Sequence, residues 1–585
     1  MSTKLNRLRI GVTFVLLTLS NLALALPSSG KNYAVASAHP LATQAGIEML
    51  EAGGNAADAA TAVAFVLAVV EPYSSGLGGG GFALTHFQSQ VDFLDFRETA
   101  PAAATRDMYI VDGKPRNDLS RDGILSVAVP GAIKGYLGLH KRHGKLPRQK
   151  VLEPALNFAR DGFQVTPRYQ KYAQWRFKLL SMDAHTASIF LRKDAMGSWK
   201  VPELGTLIQQ PDLAQTIEAL SENGEAAFYR GPIGEALVAD IRLRGGIFRD
   251  SDLKDYRAKT RHPMFGHFKG HLVVSSPPPS SGGAIVLSTL GILEHAQAPS
   301  SPRDATWLHT VIEAWKYAYA DRALLGDTDF VPMAQKLLPR LIAPKRTKRV
   351  SDALSTKSQS ALEIPAGAFI DATGLKLAQN RGFEDNASND TSHLSVVDSE
   401  GNAVAMTTTV NYGFGSGIVA RGTGILLNDE MDDFAVAPGV PNAYGIVGSE
   451  ANAVAPGKVP LSSMSPTFVF QGETVGSGLK MVLGSPGGSR IPTTVLQGIW
   501  NHLLFGMNAE DAINFPRIHH QHLPDKVFVE DHGLDPETQT RLKERGHTLE
   551  VGKTWSNATI ITIDPRTGRL DAAADKRGDG TAEAR

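Results

Sequence analysis

The stretch from residue 391 to residue 410 constrains the fold more than any other part of the chain, because it predicts a rigid hairpin with a hydroxyl group at one end. The run His393–Asp398 alternates, a polar turn containing Gly401 follows, and Ala403–Val410 is a second β-rich run. Two such runs around a glycine-containing turn are typical of a β-hairpin. Thr391 stands just before the first run, so its side chain is expected at the end of a strand, where the backbone holds and aims it.

Four further segments carry motifs. They are HPLATQAGIEMLEAGGNAADAA at residues 39–60, FRETAP at 96–101, LSSMSP at 461–466 and GSPGGSR at 484–490. A threonine before a strand is by itself usually an ordinary strand residue, since β-branched residues are common there. The additional motifs, spread over the chain, outweigh that interpretation.

Together these segments resemble the γ-glutamyltransferases (glutathione hydrolases), a family of self-cleaving N-terminal-nucleophile hydrolases. The resemblance runs from about residue 31 to the carboxyl terminus. It implies cleavage of the bond between Asp390 and Thr391, after which Thr391 is the catalytic nucleophile. A threonine hydroxyl needs a neighbouring base at neutral pH, and its own new α-amine, with an ordinary pKa of about 7.7–8.0, can serve as one.

The same resemblance assigns the other catalytic groups. Thr409 is expected beside the nucleophile, and Asn411 is expected to contact the bound γ-glutamyl group or the nucleophile. Gly487 and Gly488 are expected to form the oxyanion hole, because consecutive glycines allow two backbone N–H groups to point at one spot.

The head group of a γ-glutamyl substrate carries an α-carboxylate and an α-ammonium, and the resemblance provides for both. Arg97, whose guanidinium fork suits a carboxylate, is expected to bind the first with support from Ser462 and Ser463. Glu430 and Asp433 are expected to bind the second.

A lid is expected over this site. The loop at residues 438–445 resembles the lid of many bacterial members of the family, with Tyr444 as the aromatic residue that gates the site. Its proline and glycine content and its place soon after Asp433 suit this role. An ordinary surface loop is the alternative.

Three patterns suggest cofactors or metals, and each has a stronger alternative. Glycines 76, 78 and 81 match the dinucleotide fingerprint, but that fingerprint needs a strand before it and a helix after it, and the reverse is expected here. The acidic cluster at residues 430–433 fits no calcium loop. The histidines at 519, 520 and 522 would lie in a strand, where neighbouring side chains point to opposite faces, so they do not converge on one metal ion. We therefore expect no metal and no cofactor.

Charge and cysteine content exclude several classes of function. The chain has 59 basic and 59 acidic residues, so no overall field favours nucleic acid or an anionic membrane. It has no cysteine, which excludes disulfides, thiol catalysis and cysteine-ligated metals.

The amino terminus predicts a signal peptide. Lys4, Arg7 and Arg9 precede an apolar run from Ile10 to Leu24, which ends in a small-residue cleavage pattern at Ala25. We expect cleavage after Ala25 and export to a bacterial periplasm. An uncleaved anchor is the alternative, although the apolar run is short for a membrane span.

The remaining patterns predict the scaffold. Two helices are expected between residues 39 and 70, split at 52–55. Helices are also expected over 131–256 and 307–325, a proline-rich loop at 275–283, a flexible polar segment at 351–390, and a final hairpin at 558–568.

The resemblance implies an α+β fold, an αββα sandwich built by two subunits cut from one precursor: a signal peptide at residues 1–25, a large subunit at 26–390 and a small subunit at 391–585. The heterodimer would transfer the γ-glutamyl group of glutathione and related compounds to water or to amino acid and peptide acceptors. It would need no nucleic acid and no stable membrane anchor. The rivals are an acylase for cephalosporin side chains or poly-γ-glutamate, and a non-enzymatic exported binding protein.

Overall fold

The predicted hairpin lies in the middle of a seven-stranded antiparallel sheet. In the computed structural model, which describes residues 28–370, 390–437 and 439–585, the strand Ser392–Val397 pairs with Ala403–Thr409. Asp398 closes the turn between them, because its carboxylate accepts hydrogen bonds from the backbone N–H groups of Glu400 and Asn402, both at 2.9 Å. The hairpin and its turn therefore form as the sequence predicts.

Strands from distant parts of the chain extend this hairpin into the first sheet. Every neighbouring pair of strands in it is antiparallel. Its order is Lys259–Arg261, Gln90–Asp95, Gly80–Phe87, Ala403–Thr409, Ser392–Val397, Ala34–Ser37 and Thr581–Ala584.

A second seven-stranded sheet lies against the first, and it is also antiparallel throughout. Its order is Ser28–Gly30, Leu570–Ala574, Thr559–Ile563, Leu479–Gly484, Thr467–Phe470, His271–Ser275 and Met264–Phe268.

The alternation along Ser392–Val397 explains how the hairpin is buried on both faces. Leu394 and Val396 pack into the core formed with the helices on one side. His393 and Ser395 face the second sheet, where Ser395 Oγ lies 3.0 Å from Thr559 Oγ1. Gly484 allows the sheets to approach, since a Cβ there would lie 2.1 Å from the His393 ring. The backbone around Thr391 is therefore held from two sides.

Helical layers cover the outer faces of both sheets, so the architecture is the αββα sandwich that the resemblance implies. Helices on the first sheet and behind it are Pro40–Glu51, Ala56–Val70, Ala132–His143, Arg148–Asp161 and Pro211–Asn223. Those on the side of the second sheet are Gly282–Leu293, Ala305–Ala320, Pro344–Ala353, Ile491–Phe505 and Ala509–Asn514.

The helix Ala56–Val70 is the buried support of the first sheet. All fifteen of its residues are buried, as expected for a helix that is apolar all round. Asn55 and Asp58 form a capping box at its start, which satisfies backbone N–H groups that the helix itself leaves unpaired. The two helices predicted between residues 39 and 70 are confirmed.

Shorter elements decorate this frame. The remaining helices are Asn117–Arg121, Pro167–Trp175, Phe177–Met182, Ala184–Phe190, Ala226–Tyr229, Pro232–Leu243, Asp250–Asp255, Pro332–Leu341 and Pro536–Glu544. Short strand pairs are Ile110–Val111 with Lys114–Pro115, Phe163–Gln164 with Leu207–Ile208, Arg192–Lys193 with Trp199–Lys200, and Val419–Ala420 with Ile425–Leu426; Ile518–His519, Val527–Glu530 and Leu549–Gly552 form a three-stranded sheet.

One expectation about the scaffold needs correction. The hairpin predicted at residues 558–568 is present, but it is not the last element, because Thr581–Ala584 follows it and pairs with Ala34–Ser37. The polar stretch 351–390, expected to be flexible, is described over residues 351–370, where Ala361 and Ile364 are buried and residues 355–357 are exposed, so its flexibility stays a prediction. Residues 371–389 of that stretch lie outside the described residues, as does the predicted signal peptide. Within the ranges described, no helix is both long and apolar enough to span a membrane.

Candidate active site

Thr391 and Thr409 form a hydroxyl pair at the end of the hairpin. Their Oγ1 atoms lie 3.2 Å apart, and Thr409 Oγ1 accepts a hydrogen bond of 2.8 Å from the backbone N–H of Asn411. A hydroxyl has one hydrogen and two lone pairs, so Thr409 can either donate to Thr391 or accept its proton. This contact is the one expected for a nucleophile and a supporting hydroxyl.

The backbone at Thr391 has an unusual conformation. Its φ is 133°, a value that is rare for a β-branched residue. Backbone held in such a region costs on the order of 1–3 kcal/mol and persists only where the surroundings enforce it. Asp390 and Thr391 are both buried, so the bond between them lies in a tightly packed and strained environment.

A buried guanidinium with three carboxyl groups forms the opposite wall of the site. Arg97 makes close ion pairs with Glu430 and Asp433, and Glu98 lies 3.7 Å from it. Burial raises the pKa of Glu98 to about 7 and raises the pKa of Glu430 well above its ordinary value. One cation therefore faces more acidic groups than it can neutralise, and a second cation would be stabilised here.

The two walls enclose one cavity. Thr391, Thr409, Asn411, Arg97, Glu430, Asp433, Tyr444, Ser462, Ser463 and Gly488 all line it. With Arg97 closed onto its carboxylates the cavity has a volume of only about 20 Å³, which is enough for one water molecule. A ligand larger than a water molecule must therefore separate these ion pairs when it enters.

Tyr444 closes the cavity on the side of the predicted lid. Its hydroxyl donates a hydrogen bond of 2.8 Å to the backbone carbonyl of Asn411, and its ring is buried. Gly488 is needed beneath it, because a Cβ there would lie 2.5 Å from the Tyr444 ring and its φ is 54°. Pro438, the first residue of the lid loop, lies outside the described residues.

The glycine turn stands at the start of a helix. Gly487 has a φ of 125°, Gly488 lines the cavity, and the helix Ile491–Phe505 begins immediately afterwards. The N-terminal end of a helix carries a partial positive charge. Gly487 itself is not among the residues that line the cavity, so its expected share in an oxyanion hole stays a prediction.

Two charged groups of the site were missed in the sequence analysis. Arg322 lines the cavity as a second buried cation, and burial lowers its pKa to about 10. It follows the aromatic helix Ala305–Ala320, whose stripe drew attention only to the core. Glu71 lies between the apolar helix Ala56–Val70 and the glycine loop, and the sequence analysis treated that helix only as scaffold. A charged residue in such a place is itself a signal of a functional or structural role.

Glu71 supports the residue next to Thr391 from behind the sheet. Its carboxyl group is fully buried and accepts hydrogen bonds from Ser392 Oγ at 2.7 Å and from the Tyr73 hydroxyl at 3.1 Å. Arg168 lies 3.9 Å away. Burial nevertheless raises the pKa of Glu71 to about 7.

We expect Glu71→Gln to remove part of the pH dependence of stability. Burial raises the pKa of Glu71 from 4.5 to about 7 in the folded protein. The contribution of its protonated carboxyl group to the free energy of unfolding is therefore fully present below pH 4.5 and is lost as the pH rises through 7. The difference corresponds to about 3 kcal/mol. The free energy of unfolding of the wild type, relative to the variant, should therefore fall by about that amount between pH 4.5 and pH 8.

Denaturant unfolding of both proteins across this pH range measures the difference. Glu48→Gln, on an exposed helix position, is the matched control and should follow the wild type. A pH-independent difference between Glu71→Gln and the wild type would contradict the assignment.

The histidines at residues 519–522 have separate partners. His519 contacts Thr493, His520 contacts Asp525, and His522 contacts the carbonyl of Ala361. Elsewhere in the described part of the chain, His309, Glu313 and His547 have potential ligand atoms within 4.8 Å of one another, but the Lys316 ammonium lies 2.9 Å from Glu313 and supplies a cation there. The expectation that no metal is needed stays a prediction.

The chain is similar to known proteins along most of its length. The sequence model of the family described as Gamma-glutamyltranspeptidase matches residues 42–585. A glutathione hydrolase proenzyme of Escherichia coli (strain K12) is 41% identical over 561 residues, which cover 94% of this chain and 91% of that protein.

Solved structures show the same similarity. The cephalosporin acylase from Bacillus halodurans superposes with a TM-score of 0.82 at 26% identity, covering 98% of this chain and 99% of that one. The γ-glutamyltranspeptidase of Helicobacter pylori has a TM-score of 0.54 at 32% identity, covering 58% of this chain and 97% of that one.

Proposed function

This chain belongs to the γ-glutamyltranspeptidase family, and we propose that it is a self-cleaving enzyme that transfers γ-glutamyl groups from glutathione and related compounds to water or to amines, with Thr391 as its nucleophile. One observation carries the proposal. The Thr391–Thr409 hydroxyl pair and the Arg97–Glu430–Asp433 cluster line the same cavity.

Maturation begins at the bond between Asp390 and Thr391. The Thr391 hydroxyl attacks the Asp390 carbonyl, the C–N bond breaks, and an ester to Oγ forms. Water hydrolyses that ester, leaving the Asp390 carboxyl group and the Thr391 α-amine. The positive φ at Thr391 supports this step, because strain is relieved when the bond breaks. The products are a large subunit, residues 26–390, and a small subunit, residues 391–585.

The two subunits stay together because their strands alternate. Within the first sheet, Ser392–Val397 and Ala403–Thr409 lie between Ala34–Ser37 and Gly80–Phe87. Separation would break ladders of hydrogen bonds on both sides of the hairpin and expose a shared core.

The donor is held by exchange of ion pairs. Its α-carboxylate takes the Arg97 guanidinium, with the hydroxyl groups of Ser462 and Ser463 beside it, and its α-ammonium takes Glu430 and Asp433. Each charged group thus exchanges one ion-pair partner for another, so donor binding removes little further water from the charged groups of the protein. Arg322 contributes a second positive charge to the cavity.

The transfer proceeds in two steps. Thr391 Oγ attacks the γ-carbonyl, its proton passes to the Thr391 α-amine, and the proton then moves to the departing amine as the C–N bond breaks. The N–H groups of Gly487 and Gly488 stabilise the oxyanion. Water or an acceptor amine next attacks the ester, the bond to Thr391 Oγ breaks, and the proton returns to that oxygen.

An acylase for dicarboxylic side chains is a second candidate, since the Bacillus halodurans cephalosporin acylase covers almost the whole chain. A dicarboxylic acyl group without an α-ammonium would leave Glu430 and Asp433 without a cationic ligand. The acidic cluster therefore favours γ-glutamyl donors.

We also propose export to a periplasm, with cleavage of the signal peptide after Ala25.

Intact mass of the purified protein, measured beside chromophore release from a γ-glutamyl anilide, tests the proposal. We expect two fragments, the smaller beginning at Thr391, and activity towards the anilide. A single uncut chain without activity would overturn it. Activity towards a glutaryl anilide that exceeds activity towards the γ-glutamyl anilide would favour the acylase instead.

A further inference from the structure

Asp432 is the acidic residue of the short helical turn Glu430–Asp433 to which the reaction described above assigns no role. Its side chain is buried, and it does not line the cavity around Thr391. Burying a carboxylate is costly unless hydrogen bonds compensate for the lost water. The groups that bond to Asp432 therefore indicate what its carboxylate does.

Two donors from different parts of the chain bond to this carboxylate. The Ser120 hydroxyl donates to Asp432 Oδ1 at 2.6 Å, and the backbone N–H of Ala443 donates to Oδ2 at 3.0 Å. Burial raises the pKa of Asp432 to about 6, whereas both hydrogen bonds lower it, so they favour the charged form. Bonds to a charged acceptor are among the stronger hydrogen bonds in proteins. We call these two bonds the lid latch, because Ala443 belongs to the predicted lid.

Residues 441–446, which we call the lid tip, form a compact turn. The side-chain oxygen of Asn442 accepts hydrogen bonds from the backbone N–H groups of Tyr444 at 3.0 Å and Ile446 at 3.1 Å. The backbone N–H of Asn442 donates to the carbonyl of Ile446 at 3.0 Å. Because the tip satisfies these groups within itself, it can move as one unit, and its bonds to the rest of the protein decide where it lies.

The short helix that carries Ser120 holds the lid tip at a second point. Asn117, at the start of this helix, donates from Nδ2 to the carbonyl of Pro441 at 2.7 Å. The lid latch and this bond together fix the tip on the side away from the cavity mouth that Tyr444 closes. The position of the Tyr444 ring therefore depends on groups that do not themselves line the cavity.

The turn that carries the lid latch also holds the donor in the proposed reaction. Asp433, which is expected to bind the α-ammonium, directly follows Asp432. Its Oδ1 accepts a hydrogen bond of 3.3 Å from Asn442 Nδ2 in the lid tip. Neighbouring residues of one short turn thus contact the lid and the donor, so closure of the lid is coupled to occupation of the site.

We propose that Asp432 is a positioning residue, which holds the lid closed and thereby keeps Tyr444 over the bound donor. The inference rests on the proposed function, because the lid affects the reaction only if a donor binds beneath it. Weakening the lid latch should open the lid and leave the reacting groups unchanged.

A single engineered thiol can report lid opening, because the chain has no cysteine. Ala443→Cys places the thiol on the lid tip, at a position that is only 7% exposed, and keeps the backbone N–H that bonds to Asp432. Buried thiols react slowly, so the rate of modification by dithiobis(nitrobenzoate) follows the population of the open lid.

Four variants are compared in this Ala443→Cys parent protein. They are Asp432→Asn, Ser120→Ala, the combination of both, and Asp118→Asn as the matched control. Asp118 lies on the same short helix as Ser120, but it is exposed and pairs with Arg116. Thermal unfolding checks that each variant is folded.

Asp432→Asn should raise the modification rate by about 10- to 100-fold, because one of the two donors then faces an amide NH₂ group and a bond to a charged acceptor is lost. Ser120→Ala should raise it by about 3- to 10-fold, because the carboxylate is held less firmly. The combination should be no faster than Asp432→Asn, since Ser120 acts through Asp432. Asp118→Asn should keep the rate of the parent.

Donor kinetics separate positioning from a general loss of structure. Asp432→Asn should raise the KM for a γ-glutamyl anilide severalfold and leave kcat unchanged, because the donor is retained less well while the reacting groups stay in place. An equal fall of kcat and of kcat/KM, with the KM unchanged, would contradict this role.

Three thiol results would overturn the lid latch: rates in Asp432→Asn and Ser120→Ala that equal the parent rate, additive effects in the combination, or a parent thiol that reacts as fast as an exposed one. If Asp432→Asn does not fold, the rate in Ser120→Ala decides. Thiol modification needs no turnover. Absence of anilide hydrolysis in the processed wild type would therefore overturn the proposed function, while the thiol rates still decide whether Asp432 holds the lid.

Discussion

Thr391→Ala is expected to give a single uncut chain without γ-glutamyl transfer. The substitution removes the hydroxyl that attacks Asp390 and, later, the donor. Neighbouring hydroxyls cannot replace it, since Ser392 Oγ donates to Glu71 on the other face of the sheet and Thr409 Oγ1 is 3.2 Å from the lost atom. Loss of a nucleophile costs on the order of 10⁶ in turnover in well-studied hydrolases, so no activity should be measurable.

Intact mass and anilide hydrolysis measure this result, and Thr391→Ser is the matched control. Serine keeps the hydroxyl and loses one methyl group, so the serine variant should process itself and retain part of the activity. The alanine variant should still unfold in a cooperative thermal transition, because Thr391 Oγ1 makes one hydrogen bond in the described structure. Normal processing of Thr391→Ala would refute the nucleophile assignment.

Local patterns were sufficient for the elements that position the site. The alternation of residues 393–398 and 403–410 predicted the central hairpin, since one face of each strand meets helices and the other meets the second sheet. The glycines at 53 and 54 predicted the break between the first two helices. The glycine turns at Gly401 and Gly53 are local, since each has a positive φ, whereas the alternation records which face of each strand meets a distant layer.

Contacts between distant residues were beyond such patterns. The resemblance named Arg97, Glu430 and Asp433 separately and did not predict that they pair with one another. Arg97 and Asp433, for example, are 336 positions apart in the chain. Glu71 and Arg322 carried no motif and acquire their positions only from packing. The strand Thr581–Ala584 is short and weakly patterned, and it forms because Ala34–Ser37 offers an edge.

Arg97→Ala is expected to reduce kcat/KM for γ-glutamyl donors by about 30- to 1000-fold, while self-cleavage continues. Removing one partner of a buried charge pair typically costs about 2–4 kcal/mol. Arg97 contacts acidic groups rather than Thr391 or Asp390, so processing does not depend on it directly. The variant also leaves Glu98, Glu430 and Asp433 without their cation, which should lower the free energy of unfolding by about 3–5 kcal/mol.

These two effects can be separated with Arg97→Lys and with a second donor. Lysine keeps a positive charge but lacks the planar fork, so it should recover much of the lost stability and little of the donor affinity. The second donor is a γ-aminobutyryl anilide, which keeps the amine of the γ-glutamyl group and lacks its α-carboxylate. The wild type should strongly prefer the γ-glutamyl anilide, and Arg97→Ala should lose most of that preference. If the preference persists in a folded and processed Arg97→Ala protein, Arg97 does not recognise the α-carboxylate, and Arg322 becomes the group to test.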